Sequence, residues 1–403
     1  MAVNLTEPGP LLPVGGIRLG TAAAGVRAPD RDDLLLLACD AGTSVAALFT
    51  RNAFCAAPVT LCRQRLAERT AVHGLLINAG NANAGTGAAG LDAARQCAAA
   101  AETQLEGMVL PFSTGVIGEA LPVARISSAV PRAAGNLRAD GWLAAARAIM
   151  TTDTVPKGCS RQLEIGGRTV TITGIAKGAG MICPDMATML AFVATDAAVS
   201  RSTLQRALAE AAADSFNAIT VDGDTSTNDS LVLMATGASG APALAPDSDD
   251  YARFLAALQA VCGTLAQAVV RDGEGATRFI TVRVEQARDR DEARRVAYTL
   301  AHSPLFKTAA FAGDANWGRI LAAVGRAPVD ALDLSRVTIA IDDVPLVAAG
   351  EPHPDYSEAA GSAVFARAEF TVRIQLGRGR TAAEVYTCDF SYDYVRINAE
   401  YRS

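Results

Sequence analysis

The chain alternates short aliphatic and β-branched runs with longer alanine-rich runs, which limits it to folds that mix strands and helices. Runs at 44–50 and 74–80 have the length and composition of buried strands. The longer runs space apolar residues at i, i+3 and i+4, which predicts helices at 90–106, 141–151, 202–218 and 251–269. β-Branched residues around Gly166-Gly167 predict a hairpin over 161–176. Hydrophobic residues make up 50% of the 403 positions, which is enough for a large core.

The last third of the sequence has a different pattern. A charged helical segment at 288–302 is followed by strand-like runs at 336–343, 368–377 and 383–395. This change predicts a second lobe that begins near residue 285. The expected architecture is therefore a layered α/β sandwich with a smaller C-terminal lobe of the α+β type.

Charge and composition exclude several functions. The net charge of −6 argues against a nucleic-acid surface, and no polybasic membrane patch is present. The apolar run at 34–39 is far shorter than the ~18 residues a transmembrane helix needs. The first residues do not have the pattern of a signal peptide. Eight cysteines form no C-x-x-C pair, so we expect free thiols in a reducing cytoplasm and no metal site.

One stretch, "GIAKGAGMICPDMATMLAF" at 174–192, carries chemical information. It places a lysine, three glycines and a proline directly before Thr188 and a buried strand. A phosphate-binding P-loop would need its lysine after the glycines and a helix beyond the loop, and neither condition holds. A plain turn that leads into a core strand explains the glycines and Pro184. The third interpretation is that Thr188 is a nucleophile.

A threonine hydroxyl needs a base to become a nucleophile. The histidines at 73, 302 and 353 have no recognisable triad context. The α-amine of Thr188 would serve if the chain were cut before it, because an α-amino group has a pKa of ~7.7–8.0. Attack of Thr188 Oγ on the carbonyl of Ala187 could make that cut, and the nearby glycines allow the required bend. The turn and the nucleophile both remain open on this reasoning.

The motif "KGAGMICPDMATML" resembles the self-cleaving motif of the ornithine acetyltransferases, also called glutamate N-acetyltransferases, of arginine biosynthesis. Asp185 departs from the asparagine that is more common there. Other segments resemble that family in the same order along nearly the whole chain: "RNAFCAAPV", "INAGNANAGTG", "FSTGVIGE", "AIMTTDTVPK", "VDGDTSTNDS", "RDGEGATRF", "DANWGRI" and "CDFSYDYVRINAEYRS".

This resemblance implies cleavage between Ala187 and Thr188 into an α chain, 1–187, and a β chain, 188–403. Within the β chain, 188–285 would complete a sandwich like that of N-terminal-nucleophile enzymes, and 286–403 would form the C-terminal lobe. The nucleophile would be Thr188, and Thr114 with Gly115 would form the oxyanion hole. The substrate-contacting positions fall on Thr152, Lys177, Thr188, Glu274, Asn398 and Ser403.

The implied reaction moves acetyl from N²-acetylornithine to glutamate through an acetyl-threonine, without a metal or redox cofactor. Acetyl-CoA is an optional further acetyl donor in that family. The paired chains imply a heterotetramer of two α and two β chains. One alternative is an amidase that uses the same threonine with water as acceptor. Another is an uncut, non-catalytic binding protein, whose signature would be one intact chain and no acetyl-enzyme.

Overall fold

The computed structural model describes residues 2–68, 71–183 and 189–400. These residues form two compact units. The sandwich unit comprises Glu7–Asn217 and Asp224–Val269. The C-terminal unit comprises Met1–Thr6, Ala218–Gly223 and Val270–Ser403.

The sandwich unit contains nine strands and six helices among its described residues. In chain order they are β1 (Ile17–Ala22), β2 (Leu34–Cys39), β3 (Ser44–Phe49), α1 (Ala57–Ala67), β4 (Val72–Asn81), α2 (Gly87–Leu105), β5 (Met108–Val116), α3 (Val123–Gly135), α4 (Trp142–Ala148), β6 (Lys157–Ile165), β7 (Arg168–Lys177), β8 (Leu190–Thr195), α5 (Arg201–Ala213), β9 (Ser230–Ala235) and α6 (Asp249–Arg271). The last two residues of α6 belong to the C-terminal unit.

Two sheets pack face to face in the sandwich unit. The first has the order β1-β2-β4-β5 and the second the order β3-β9-β8-β7-β6. Side chains from both sheets share one hydrophobic core, in which Phe112 and Phe192 meet edge to face with ring centroids 5.1 Å apart. The run at 34–39 shows how this core forms. Leu35 and Leu37 point into it, and Leu34 and Leu36 point to the opposite face because side chains alternate along a strand.

Helices cover both outer faces. Residues of α2 and α3 form a second core with the outer face of the first sheet. On the second sheet, α5 contacts β3 and β9. α6 approaches so closely that a Cβ on Gly174 would lie 2.9 Å from Leu265. The layers are therefore helix, sheet, sheet, helix, which confirms the predicted layered α/β sandwich.

Among the described residues, α6 is long and apolar enough to cross a membrane by length and composition. Half of its apolar window is buried inside the protein, and the core helix of a soluble protein meets the same criteria. Its buried positions include Phe254, Leu258 and Val261. These residues repeat at three- and four-residue intervals, as expected of a helix with one face against a sheet.

The C-terminal unit is built on one mixed sheet with the order β13-β12-β11-β14-β10-β15. Its elements are β10 (Phe279–Ala287), α7 (Arg290–Ala301), α8 (Pro304–Ala312), α9 (Trp317–Gly325), β11 (Thr338–Ile341), β12 (Val344–Ala348), β13 (Glu351–Pro352), α10 (Glu358–Phe365), β14 (Glu369–Gln375), β15 (Thr381–Cys388) and α11 (Tyr392–Ala399). Helices and sheet share a separate hydrophobic core. This unit confirms the predicted α+β lobe.

The predicted boundary at 285/286 falls inside β10, whereas the compact unit starts at Val270 and also takes in two short upstream segments. The predicted strand over 383–395 is wrong in its second half. β15 ends at Cys388, and Ser391 starts α11 by accepting a hydrogen bond from the N–H of Tyr394. A serine cap of this kind begins a helix despite the aromatic residues that follow it.

Candidate active site

Thr114 and Gly115 lie near the carboxyl end of β5, beside the end of the parallel strand β4. The Thr114 side chain is buried. Gly115 has φ +132, and a Cβ on it would lie 2.2 Å from the carbonyl carbon of Gly80. A side chain therefore fits neither the backbone conformation nor the available space. The two strands approach closely here because this position is glycine.

Lys177 is the last residue of β7, in the opposite sheet, and it is also buried. Its Nζ donates a hydrogen bond of 3.2 Å to Thr114 Oγ1. A hydroxyl that accepts a hydrogen bond still has its own proton to donate elsewhere. The pair therefore connects the two sheets and leaves the Thr114 hydroxyl able to act as a donor.

Asp153 lies in the loop between α4 and β6 and fixes the chain around Lys177. Its Oδ1 accepts hydrogen bonds from Lys157 Nζ at 2.6 Å and from the N–H of Gly178 at 2.7 Å. Its Oδ2 accepts from the N–H of Thr151 at 2.9 Å. Burial by itself raises the pKa of Asp153, but the charges of Lys157 and Lys177 and these hydrogen bonds outweigh it and hold the pKa well below its usual range. Asp153 is therefore an anion at neutral pH.

Asp153 and Lys157 are not among the site residues predicted from the sequence. The prediction selected Thr152 from the same segment, and Thr152 lies half-buried in the loop that Asp153 organises. The available signal was the spacing of an acidic and a basic residue four apart within "TDTVPK". Both side chains are fully buried, which is unusual for charged groups unless they are paired.

Ala187, Thr188 and Ser403 lie outside the described residues. The residues that flank 184–188 are hydrogen-bonded to one segment, 225–230, which ends on the first residue of β9. Thr225 Oγ1 donates to the carbonyl oxygen of Cys183 at 2.9 Å. The N–H of Ser230 donates to the carbonyl oxygen of Met189, also at 2.9 Å. β8 then continues from Leu190 as the middle strand of its sheet, with every residue buried.

In the C-terminal unit, the structure brings together two further predicted residues. The buried Glu274 accepts a hydrogen bond of 2.8 Å at Oε2 from Asn398 Nδ2. The turn that carries Glu274 packs tightly on the start of α11, because a Cβ on Gly275 would lie 2.4 Å from the backbone nitrogen of Tyr394. Ser391 Oγ also donates to the carbonyl oxygen of Gly275 at 2.6 Å. Glu274 therefore has a fixed position within its unit.

The predicted residues fall into two groups by direct contact. Thr114 and Lys177 touch in the sandwich unit, and Glu274 and Asn398 touch in the C-terminal unit. Among residues 2–68, 71–183 and 189–400, no cluster of three or more His, Cys, Asp or Glu residues could hold a metal ion.

In this layered α/β fold, a hydroxyl donor, a constrained glycine and a buried lysine converge at strand ends. Enzymes that stabilise a developing anion place hydrogen-bond donors in this way. Sequence comparison identifies the family. The ArgJ family model matches residues 18–403. The arginine biosynthesis bifunctional protein ArgJ of Methylococcus capsulatus is 58% identical over 396 residues, which are 98% of this chain and 97% of that protein. The chain therefore belongs to the ArgJ family.

Two solved structures are similar to parts of the chain. The arginine biosynthesis bifunctional protein ArgJ of Bacillus halodurans is 40% identical, with a TM-score of 0.49 over 51% of this chain and 96% of that chain. The ornithine acetyltransferase of Mycobacterium tuberculosis, crystallised with ornithine, is 32% identical, with a TM-score of 0.38 over 45% of this chain and 98% of that chain. The predicted family, and the prediction that this chain is an acyltransferase of arginine biosynthesis, are confirmed.

Proposed function

We propose that this enzyme transfers an acetyl group from N²-acetylornithine to glutamate through an acetyl ester on Thr188. The relatives support the substrate class, because one of them is an ornithine acetyltransferase crystallised with ornithine. The observation that carries the proposal is the 3.2 Å hydrogen bond from Lys177 Nζ to Thr114 Oγ1. It holds a hydroxyl donor beside Gly115, as an oxyanion hole for acyl transfer requires.

The nucleophile is made by self-cleavage. Thr188 Oγ attacks the carbonyl carbon of Ala187, the C–N bond of that peptide breaks, and an ester forms between the two residues. Water then hydrolyses the ester, which leaves a carboxylate on Ala187 and a free α-amine on Thr188. The products are the α chain, 1–187, and the β chain, 188–403. We place two copies of each in a cytoplasmic heterotetramer.

The acetyl transfer has two halves. The α-amine of Thr188 takes the proton from its own hydroxyl as Oγ attacks the acetyl carbon of N²-acetylornithine. The tetrahedral oxyanion receives hydrogen bonds from the Thr114 hydroxyl and the Gly115 N–H. The amine then gives its proton to the departing nitrogen of ornithine, and the acetyl group stays on Thr188. The α-amine of glutamate attacks this ester by the same route in reverse, with Thr188 Oγ as leaving group.

The remaining substrate contacts follow the family resemblance. Lys177 suits the α-carboxylate that both substrates carry, because an ammonium is a strong partner for a carboxylate. Glu274 suits the side-chain ammonium of ornithine. Thr152, Asn398 and Ser403 complete the proposed contacts.

The decisive experiment compares the intact masses of the purified protein and its Thr188→Ala variant. We expect fragments of about 19 and 22 kDa from the 41.5 kDa wild-type chain, and a variant that stays whole. N²-acetylornithine should then add one acetyl group to Thr188 of the larger fragment. A folded wild type that is uncut and takes up no acetyl group would refute the proposal and leave the non-catalytic alternative.

The acceptor is tested with the same material. Acetylated enzyme should lose its acetyl group faster when glutamate is added, and N-acetylglutamate should appear in equal amount. Loss to water at a rate independent of glutamate would instead identify the amidase alternative. Replacing N²-acetylornithine with acetyl-CoA in this assay decides whether the enzyme also uses that donor.

A further inference from the structure

We infer that Asn228 is a positioning residue that fixes the oxyanion donors Thr114 and Gly115. The inference rests on the proposed function, because it assigns Asn228 to the same reaction. Asn228 lies in the loop before β9, in the opposite sheet from β5. It is 115 residues away in sequence from Ser113, the neighbour of Thr114 in β5.

Both amide hydrogens of Asn228 are used by backbone carbonyls, one of the residue directly after β4 and one within β5. Nδ2 donates to the carbonyl oxygen of Ala82 at 2.6 Å and to that of Ser113 at 2.9 Å. The carbonyl of Ser113 and the N–H of Thr114 belong to one planar peptide group. Fixing that carbonyl therefore fixes the orientation of the backbone that enters Thr114.

The Asn228 amide is itself oriented. Oδ1 accepts a hydrogen bond of 2.5 Å from Thr227 Oγ1. The N–H of Asn228 donates to Ser226 Oγ at 3.1 Å, and its carbonyl accepts from Ser230 Oγ at 3.0 Å. The side chain is buried, with only 6% of the residue exposed. Its two donors therefore have a defined direction.

The same strand end is held from a second side. Ser113 Oγ donates to Asn78 Oδ1 at 2.6 Å, and Asn78 Nδ2 donates to the carbonyl oxygen of Asn81 at 2.8 Å. Backbone and side chain of Ser113 are thus both bonded. Gly115 follows two residues later with a backbone that only glycine adopts without strain.

Asn228 also lies in the loop that leads into β9, whose first residue contacts the residue before β8. Two residues after Asn228, the N–H of Ser230 bonds to the carbonyl oxygen of Met189, the residue that follows Thr188. The loop that carries Asn228 and the first residue of β9 therefore connect the oxyanion donors to the strand that the nucleophile precedes. Catalytic groups must keep their relative positions within about 0.5 Å. We assign that task to Asn228.

The test measures kcat and KM for acetyl transfer in Asn228→Ala, with Asn83→Ala as the matched control. Asn83 is fully buried, and its Nδ2 donates to the carbonyl oxygen of Gly90 at 2.8 Å. Its backbone has φ +49, so alanine there adds strain as well as losing hydrogen bonds. We expect Asn228→Ala to lower kcat roughly 10²-fold, as the loss of an oxyanion donor does. KM should change little. The Asn83→Ala variant should keep kcat within a few-fold of wild type.

A double variant separates positioning from general damage. If Asn228 acts through Thr114 and Gly115, Asn228→Ala should lower kcat by a smaller factor in the Thr114→Val background than in the wild type, because residues that act as a unit are not additive. Full additivity of the two losses in kcat, or an Asn228→Ala enzyme that behaves like Asn83→Ala, would overturn the inference.

Self-cleavage of each variant is measured by intact mass. The rate of acetyl transfer is then calculated per molecule of cleaved enzyme. If Asn228→Ala fails to fold, Asn228→Asp replaces it. This variant keeps the side-chain size but turns an acceptor toward the carbonyls of Ala82 and Ser113. It should show the same loss confined to kcat, and a wild-type kcat would overturn the inference. A wild type that forms no acetyl-enzyme would instead refute the proposed function itself.

Discussion

Lys177 Nζ and Thr114 Oγ1 lie 3.2 Å apart, and their hydrogen bond joins the last residue of β7 to the end of β5 in the facing sheet. Lys177 is the donor in this bond and Thr114 the acceptor, so the Thr114 hydroxyl keeps its own proton for another acceptor. In the proposed reaction the threonine offers a proton to the developing oxyanion, and the lysine orients the hydroxyl through this hydrogen bond. A charged donor on a hydroxyl makes the hydroxyl proton more positive because hydrogen bonds polarise one another.

Replacing Thr114 with valine removes the hydroxyl and keeps the side-chain shape. We expect kcat for acetyl transfer to fall about 10²–10³-fold, as for the loss of one oxyanion-hole donor. KM for both substrates should change much less, because the hydroxyl acts on the transition state. Thr114→Ser, which restores the donor, should recover most of the rate. A Thr114→Val enzyme with wild-type kcat would rule out this role.

Asp153 should stabilise the fold in a pH-dependent way. Its pKa is lower in the folded protein than in the unfolded chain, so its contribution to the free energy of unfolding is complete above the unfolded pKa of ~3.9. That contribution is lost as the pH falls below this value toward the folded pKa. Asp153→Asn should cost about 3–5 kcal/mol at neutral pH, because it removes the carboxylate from the buried Lys157.

The measurement is urea unfolding in the Thr188→Ala background, where a single chain unfolds, at pH 7 and at decreasing pH. The difference in the free energy of unfolding between Asp153→Asn and its parent should decrease below about pH 4. Asp247→Asn provides the control, because Asp247 pairs with Arg206 at 2.5 Å on the surface. Exposed ion pairs are screened by solvent, so this variant should unfold almost like the parent. If the difference in the free energy of unfolding between Asp153→Asn and its parent did not change with pH, the role given to Asp153 would be contradicted.

The sequence predicts those parts of the fold that depend on local signals. Gly166 and Gly167 both adopt positive φ in the two-residue turn between β6 and β7. The glycine pair alone is enough to predict that turn. The helices are predicted from apolar residues that repeat at three- and four-residue intervals along the chain. Where two local signals conflict, as at Ser391, the cap starts a helix that the aromatic pattern did not predict.

The site is less accessible to such reasoning because its contacts are long-range. Thr114, Gly115 and Lys177 are found through a family motif, not through periodicity. Asp153 bonds to Gly178, which is 25 residues away, and Asn228 bonds to carbonyls 115 and 146 residues away. No local pattern encodes such pairings. The short segments 1–6 and 218–223 belong to the C-terminal unit although they are distant from the rest of it in sequence, so this assignment could not be predicted either.

Gly115 should tolerate no side chain, and Gly118 offers a matched comparison. Both have positive φ, +132 and +85, but a Cβ on Gly118 would have no neighbour within 4 Å. Gly118→Ala should therefore cost only the strain of a left-handed alanine, about 1–2 kcal/mol. Gly115→Ala must also displace Gly80, so it should destabilise more.

Activity should separate the two glycine variants further. Moving β4 away from β5 changes the direction of the Gly115 N–H, so kcat of Gly115→Ala should fall about 10²-fold. Gly118→Ala should stay within a few-fold of wild type. Thermal unfolding and steady-state kinetics on both proteins provide the comparison, and equal behaviour would show that the close approach at Gly115 has no functional importance.

Glu274 should distinguish the two substrates by charge. In the wild type, Asn398 Nδ2 lies 2.8 Å from Glu274 Oε2. Glu274→Gln keeps the size of the side chain and an oxygen that can accept this hydrogen bond. It removes the negative charge. If Glu274 contacts the ammonium of ornithine, the loss of one charged hydrogen bond, about 1.5–3 kcal/mol, should raise KM for N²-acetylornithine roughly 10–100-fold.

Glutamate serves as the internal control in the same assay. Its side chain carries the same sign of charge as Glu274, so removal of that charge should leave KM for glutamate unchanged or lower it. Asn398→Ala should raise KM for N²-acetylornithine less than Glu274→Gln does, because the carboxylate remains and loses only one orienting partner. If KM rises equally for both substrates, Glu274 shapes its unit without contacting the ornithine ammonium. A rise in KM for N²-acetylornithine without a rise in KM for glutamate requires a direct interaction between charges.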